Sequence, residues 1–385
     1  MPKNKRFAGS PAVVAALLFM ACGNPRERSS TALVPVKART NLNYARGFRI
    51  DYYDGFRAVS IVNHNSGKTD TLHYLLVDSG VAPPAGLPGI PVIQTPVKQF
   101  AVQSSAHVGL LDFAGVADRI TGLGSFQYIY SPVVREGIRA GKVKQIGIDN
   151  QINSELVIAM RPGVLIAMTN PDAAFGQYKA LIEAGIPVLP DAEWMETTAL
   201  GRAEWVKLIG ALVDREESVG REFDTVAQRY RQLAAIGSSA AVKPTVIVNM
   251  PFKGSWYLPA GGNYMSQLLQ DAGATYPWAD TKGTNSLVLN FEAVAPFALK
   301  ADYWLNVGYV NSKKELLAKD SRYSGFHPFQ TDALYNFNKR VNDIGSNDFW
   351  ESGLVNPQLV LADLIRILHP GLLPADSLYY YKQLK

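Results

Sequence analysis

Residues 198–235, TALGRAEWVKLIGALVDREESVGREFDTVAQRYRQLAA, run without a proline. Trp205, Leu208, Ile209, Leu212, Val219, Phe223, Val226, Tyr230 and Leu233 recur within them at near-helical spacing, which lays one apolar stripe along a helix. The spacing predicts one long helix, or two nearly collinear helices separated near Gly220. Ile236-Gly237-Ser238-Ser239 ends the pattern. Its position is what matters, because the sequence on either side of it has a different character.

Upstream and downstream, short apolar runs alternate with longer amphipathic ones, the signature of an α/β chain. Before the helix, Gln99 to Val102, Val143 to Ile148, Val164 to Met168 and Pro187 to Leu189 read as strands, the last three as buried ones. Between them Val108 to Ala114, Val133 to Arg139, Ser154 to Met160 and Phe175 to Ala184 read as helices. Gly163 to Met168, a helix, the stop at Gly185 and then Ile186 to Leu189 form a β-α-β unit. After the helix, Thr245 to Asn249 and Tyr303 to Val307 read as strands, with helices at Met265 to Asp271 and Leu359 to Leu368. A small antiparallel element, Phe48 to Ile50, Ala58 to Val62 and Leu72 to Val77, precedes all of this, with turns at Asp54-Gly55 and Ser66-Gly67. The expected organisation is an α/β lobe over residues 45–197, a linking helix over 198–237 and a second α/β lobe over 238–385.

The N-terminus reads as an export signal. Lys3, Lys5 and Arg6 precede an apolar run from Pro11 to Ala21, about half of the roughly 20 residues needed to cross a bilayer. Phe19-Met20-Ala21-Cys22-Gly23 resembles a bacterial lipobox, with Phe19 where leucine is usual. Residues 1–21 would then be removed and Cys22 acylated as a membrane anchor; the alternative is an ordinary cleavable signal with an incidental cysteine. Residues 22–44, polar and without periodicity, read as a flexible tether. Cys22 is the single cysteine of the chain, so no intramolecular disulfide forms and the exported body depends on a conventional hydrophobic core. The formal charge of +5 includes the three basic residues of the leader and falls to +2 without them, which leaves no excess suited to nucleic acid.

Glu155 and Glu292 occupy matching places, each opening an apolar helix that runs into a strand, Val164 to Met168 in one half and Tyr303 to Val307 in the other. Stabilisation of a helix N-terminus, worth about 0.3 to 1 kcal/mol, explains either one alone. Its repetition in both halves weakens that explanation.

With these residues in place the chain resembles the substrate-binding lipoproteins of ABC importers for iron-siderophore complexes, haem and cobalamin, the class III periplasmic binding proteins. The resemblance runs from about Phe48 to the C-terminus. It is carried by Ser104-Ser105-Ala106-His107 with Asp118-Arg119-Ile120-Thr121-Gly122, Glu155 with Arg161 to Ile166, Gly185-Ile186-Pro187-Val188, Trp256 with Gly261-Gly262, Phe291-Glu292-Ala293-Val294 and Ala301-Asp302-Tyr303-Trp304. It implies two α/β lobes joined by a single rigid helix, no catalytic chemistry, small closure on ligand, and Glu155 and Glu292 as the pair that meets an ABC permease.

Ligand contacts are expected in the cleft between the lobes, on loops leaving strand ends. Ser104, Ser105, His107, Tyr128 and Tyr130 come from the first lobe; Lys253, Trp256, Tyr257, Tyr309, Phe349 and Trp350 come from the second. Aromatic faces suit a planar macrocycle or a catecholate complex, and Lys253 suits an anionic chelate. Each aromatic taken singly also has a core or turn reading. An iron-siderophore ranks first, cobalamin second and haem third; His107, Tyr128, Tyr257 or His327 would supply a haem axial ligand. No protein-bound cofactor or direct metal site is expected, and a monomer is the default. An exported enzyme using the same cleft is the competing class, although the chain carries no Gly-x-Ser-x-Gly, His-Glu-x-x-His or phosphate-loop motif. A surface lipoprotein with a purely structural role is a third.

Overall fold

The computed structural model describes residues 36–65, 68–148, 151–168, 175–374 and 376–385. The expected signal peptide, Cys22 and the first part of the tether lie outside the described residues. No helix among the described residues is long and apolar enough to cross a membrane.

The chain opens with strands β1 (Ala38–Arg39), β2 (Phe48–Tyr52), β3 (Phe56–Asn65), β4 (Lys68–Asp78) and β5 (Val92–Thr95), paired in sequence order. The first three pairings are antiparallel and the last is parallel. Period-2 alternation sends Phe48, Ile50, Val59, Ile61, Tyr74 and Leu76 into the core and leaves Arg49, Ser60 and His73 side by side on the opposite face. This sheet is larger than the expected edge element. Its first strand also corrects the tether, because residues 38–44 are held in place. The Glu204 carboxylate accepts hydrogen bonds from the amides of Asn43, Tyr44 and Ala45 at 2.7–3.0 Å, and Glu196 accepts from those of Arg46 and Gly47 at 2.9 and 2.8 Å.

The first lobe keeps the expected strands near 99–102, 164–168 and 187–189, but the buried strand expected over Val143 to Ile148 is split into two short pieces with Lys144 and Gln145 exposed, and a strand at Ile120–Leu123 joins the sheet as well. It comprises β6 (Phe100–Val102), α1 (Ser105–Phe113), β7 (Ile120–Leu123), α2 (Pro132–Arg139), β8 (Lys144–Gln145), a small hairpin of β9 (Gly147–Ile148) and β10 (Gln151–Ile152), α3 (Ser154–Met160), β11 (Val164–Met168), α4 (Lys179–Glu183) and β12 (Val188–Asp191). Five of these strands form one all-parallel sheet in the order β12-β11-β6-β7-β8.

The linking region departs from a single helix. It contains α5 (Ala199–Ala203), α6 (Val206–Leu212) and α7 (Glu216–Ser238). The helix is continuous through Gly220, and the break lies at residues 213–215 instead. There Asp214 adopts φ 56°, and the Arg215 amide donates to the Gly210 carbonyl at 2.8 Å, the 6→1 bond of a Schellman stop with aspartate in the position glycine usually takes. Arg57 of β3 pins this turn by bonding Asp214 at 2.8 Å and by pairing with Glu216. With 23 residues, α7 is about 35 Å long.

The second lobe contains β13 (Val246–Val248), β14 (Trp256–Pro259), α8 (Tyr264–Asp271), β15 (Ser286–Leu289), α9 (Phe291–Ala298), β16 (Tyr303–Leu305), α10 (Lys313–Lys319), α11 (His327–Gln330), β17 (Leu334–Asn336), α12 (Ser352–Val355), α13 (Pro357–Leu368) and β18 (Lys382–Gln383). Its main sheet runs β13-β16-β17-β18, parallel except for the last strand. The fold is therefore α/β, with two mainly parallel-sheet lobes, a helical link and an N-terminal mixed sheet that is antiparallel except for its last strand.

Candidate ligand-binding cleft

A cavity of about 500 Å³ opens at the carboxyl ends of the first lobe's parallel strands. Gln103, Ser104 and Ser105 follow β6, Ser125 follows β7, Met168 ends β11 and Asp191 ends β12, and all of them line it. Side chains beyond a parallel strand end face a crevice that the sheet cannot fill. Trp350 reaches the same cavity from the second lobe, and Arg202 from α5. Ser104 caps α1 by accepting from the Ala106 amide at 3.0 Å, which holds the loop in register.

The floor is charged and tightly paired. Arg202 donates to Glu193 at 2.6 Å and lies 4.2 Å over the Tyr264 ring. Burial alone would lower its pKa, but Glu193 and its neighbours hold it above the usual arginine range. Burial, reinforced by Glu193, raises Asp191 well above the usual carboxylate range. His107 sits 3.4 Å from Asp191, and burial pushes its pKa down to about 3, so the imidazole is neutral. Its Nδ1 accepts from the Gln103 amide at 3.3 Å. Among the described residues Arg202 is the single arginine lining the cavity and no lysine lines it, and that arginine is spent on Glu193.

The expected site residues separate into groups. Ser104, Ser105, His107, Tyr128 and Trp350 line this one cavity. Phe349 is buried beside it, stacked on Phe337 at 4.4 Å, and lines a small void of about 30 Å³ that shares Arg202 and Trp350. Tyr130 is half-buried, with Arg340 5.5 Å over its ring. Lys253 and Tyr257 are exposed but do not line the cavity, and neither does Tyr309, which is 93 % exposed. Trp256 is corrected outright. It is 0 % exposed, packs against Trp304 and Phe326, and donates from Nε1 to the Val248 carbonyl at 2.9 Å, so it builds the second lobe's core and offers nothing to a ligand. Sequence reasoning missed Gln103, Met168, Asp191, Glu193, Trp194 and Arg202. The strand-end rule could have found Met168, which closes the expected strand Val164 to Met168; Asp191 lies two residues beyond the expected end at Leu189, because the strand runs on to it.

Behind the cavity the lobes are clasped. The Glu351 carboxylate, in the turn between Trp350 and α12, accepts from the amides of Tyr130 and Ser131 of the first lobe, at 2.8 Å from Ser131. Ser346 donates to the Gln127 carbonyl at 2.8 Å and Asn342 to that of Ile129 at 3.0 Å. Gly109 of α1 admits the Glu351 carbonyl so closely that a Cβ there would lie 2.3 Å from it. Burial pushes Glu351 up to about 8, aided by Asp348 and Asp112 and opposed by the two amides. A carboxyl raised in the folded state binds more protons there than in the unfolded chain. Stability is therefore expected to fall as pH rises from about 4.5 to 8 and to level above that. Thermal melts between pH 5 and 9 should show this slope, and Glu351→Gln should flatten it; an unchanged slope in the variant would assign the effect elsewhere.

The helix openings carrying the matched glutamates are alike. Asn153 caps α3 by accepting from the Leu156 amide at 3.0 Å, and Asn290 caps α9 by accepting from the Ala293 amide at 2.9 Å. Asparagine, not glutamate, does the capping, and both Glu155 and Glu292 are exposed. Glu155 has no ion pair among the described residues, and Glu292 has one long contact of 3.9 Å to exposed Arg322.

Two parallel-sheet lobes, a helical link and a cavity at the strand ends define a receptor for a solute. A sequence model of the periplasmic binding protein family matches residues 101–330, and the chain belongs to that family. It is 26 % identical over 302 residues to an uncharacterized lipoprotein of Methanocaldococcus jannaschii, covering 75 % of this chain and 69 % of the relative. Its fold is similar to that of a periplasmic haem-binding protein from Pseudomonas aeruginosa (TM-score 0.57, 15 % identity, covering 75 % of this chain and 98 % of that one). It is also similar to an ABC-type Fe3+-hydroxamate transport protein from Saccharomonospora viridis (TM-score 0.55, 17 % identity, covering 80 % and 99 %).

Proposed function

We propose that this protein is the substrate-binding component of an ABC importer, capturing a metal chelate in the inter-lobe cleft and delivering it to a membrane permease without covalent chemistry. An iron-siderophore remains the first choice, with cobalamin second and haem third. The observation that carries the reading is the cavity of about 500 Å³ whose lining includes the serines Ser104, Ser105 and Ser125 together with Tyr128, Trp194 and Trp350. That mixture of hydroxyls and aromatic faces fits a chelate whose organic shell presents both polar and apolar surface.

Charge narrows the choice. Cations that neutralise an anionic ligand must be unpaired in its site, and Arg202 is engaged with Glu193. An uncharged chelate of the ferric hydroxamate kind is therefore favoured over an anionic ferric catecholate. Haem is disfavoured by the same geometry, because His107 is buried and its ring nitrogens face Gln103 and Asp191; Tyr128, 55 % exposed, is the better axial candidate. Cys22 would tether the receptor to the membrane, with Glu155 and Glu292 turned to the permease.

Quenching of intrinsic tryptophan fluorescence by ferric hydroxamate, ferric catecholate, cobalamin and haem tests the ranking, with Trp194 and Trp350 as reporters. Trp350→Ala is expected to weaken the preferred ligand about thirtyfold, the loss of one interface hot spot. Tighter binding of catecholate than of hydroxamate would sink the charge argument. Unchanged affinity in Trp350→Ala would move the site away from this cleft.

A further inference from the structure

The N-terminal sheet precedes the family match, which begins at residue 101. Its outer face bounds a second concavity, a groove of about 640 Å³ lined by Arg39, Arg46, Arg49, Ser60, Thr71 and His73 among others, with no carboxylate among the described residues of the lining. Strand pairing builds it. Arg49, Ser60 and His73 are directly opposed on β2, β3 and β4, and the segment from Arg39 to Arg46 forms the other wall. That wall is rigid, since its amides are held by Glu204 and Glu196. Arg39 and Arg49 share the buried carboxylate of Asp51 at 2.9 and 3.0 Å, yet their side chains stay 64 % and 55 % exposed. Arg46 is exposed and forms no ion pair among the described residues. Two guanidiniums on one carboxylate and a third with none leave the groove an excess of positive charge, with N–H donors still free. Ser60 holds His73 at 3.1 Å, adding polar edges to the same face.

A groove of fixed arginines beside hydroxyls is chemically matched to phosphate oxygens. Its place in the chain selects the source. Arg39 stands 17 positions after Cys22, so the groove is built from the described residues nearest in sequence to the expected anchor. We propose that the arginine groove of the N-terminal sheet binds phosphate headgroups of the anionic membrane to which the chain is tethered. It would lay the receptor body on the bilayer rather than leave it free at the end of the tether. This rests on the reading of Cys22 as an anchor, which acylation of the expressed protein, followed by labelled palmitate, tests separately.

The test uses the full mature chain with Cys22→Ser, so that no acyl group contributes. Co-sedimentation with vesicles of phosphatidylcholine alone is compared with vesicles containing phosphatidylglycerol, at low and raised salt. The chain is expected to prefer anionic vesicles and to lose that preference as salt screens the charge. At about a fivefold loss per arginine near a charged surface, Arg46→Gln should weaken binding roughly fivefold and the triple change Arg39→Gln, Arg46→Gln, Arg49→Gln about a hundredfold. Arg26 and Arg28 of the tether are present throughout and cancel in the comparison. Should the triple variant melt early, Arg46→Gln decides alone, because Arg46 has no ion pair to lose. Equal binding to both vesicle types, or variants that bind like the parent, would overturn the proposal. Release by millimolar inorganic phosphate at matched ionic strength would also overturn it, and would make the groove a site for a small soluble anion.

Discussion

Cells carrying Glu155→Lys together with Glu292→Lys are expected to lose ligand uptake, while the purified double variant keeps its ligand affinity. Both carboxylates are exposed, on the first turns of helices in different lobes, and neither lines the cleft. Their helices are capped by Asn153 and Asn290, so the reversal costs each helix only about 0.3 to 1 kcal/mol through the helix dipole. That is too little to unfold the protein. At an interface where basic residues of a permease are expected, a reversed charge replaces attraction by repulsion and costs several kcal/mol at each contact. The separation of the two effects is the point of the experiment. Uptake that survives would remove the docking role, and lost affinity would assign the glutamates a structural one. Glu292→Gln serves as a milder control, because its long contact with exposed Arg322 contributes little.

The second large effect is expected at Glu204, which is 0 % exposed. Its carboxylate bonds three successive amides, Asn43, Tyr44 and Ala45, and accepts from the buried ammonium of Lys207 at 2.9 Å. Glu204→Ala leaves three amides without their acceptor and a buried cation without its counter-ion, with only the Asn41 carbonyl at 2.7 Å still accepting from it, a loss of about 3 to 5 kcal/mol. Denaturant titration should show it as a shift in midpoint. Hydrogen exchange should show where it acts, with protection lost first in residues 38–50. Adding Lys207→Met removes the stranded charge and should recover part of the loss. A Glu204→Ala protein as stable as the parent would mean that the N-terminal sheet is held by its apolar face alone, through contacts such as Phe48 against Trp205 at 5.0 Å.

Much of the fold is written locally. The β-α-β unit around residues 163–189, helix α3 at Ser154–Met160 and the strand at Val164–Met168 follow from apolar periodicity and turn residues, and the structure places them where the pattern does. The break in the link is different. Leu212 and Val219 are seven residues apart, two helical turns, so the stripe looks unbroken through Asp214. What stops the helix is a hydrogen bond to Gly210 and an arginine 157 positions away in sequence. At Gly220, the residue that looked like the break, an added Cβ would meet no neighbour among the described residues within 4 Å outside its own helix, so no close approach requires the glycine and it carries only the modest cost of a glycine in a helix.

The cleft divides along the same line. Ser104, Ser105 and His107 were legible because they follow a strand and open a helix. Trp256 was not, because alternation on β14 shows that Trp256 and Tyr257 face opposite sides without saying which side is inside. The neighbouring aromatic cluster of Trp304, Tyr323 and Phe326 decides that, and it is assembled from two segments, residues 303–305 and 321–326.

By itself, then, the sequence determined the α/β class, the division around residues 198–235, the strand-end location of the site and the matched glutamates, because periodicity, capping and turn chemistry act over a few residues. Only the tertiary structure decided which aromatics face the cleft, that the arginine lining it among the described residues is already paired, that Glu351 clasps the lobes and that three arginines converge ahead of the segment the family model matches. Those properties depend on burial and on distances between residues far apart in the chain, and the free energy of a charge is set by that burial and by the partner it meets.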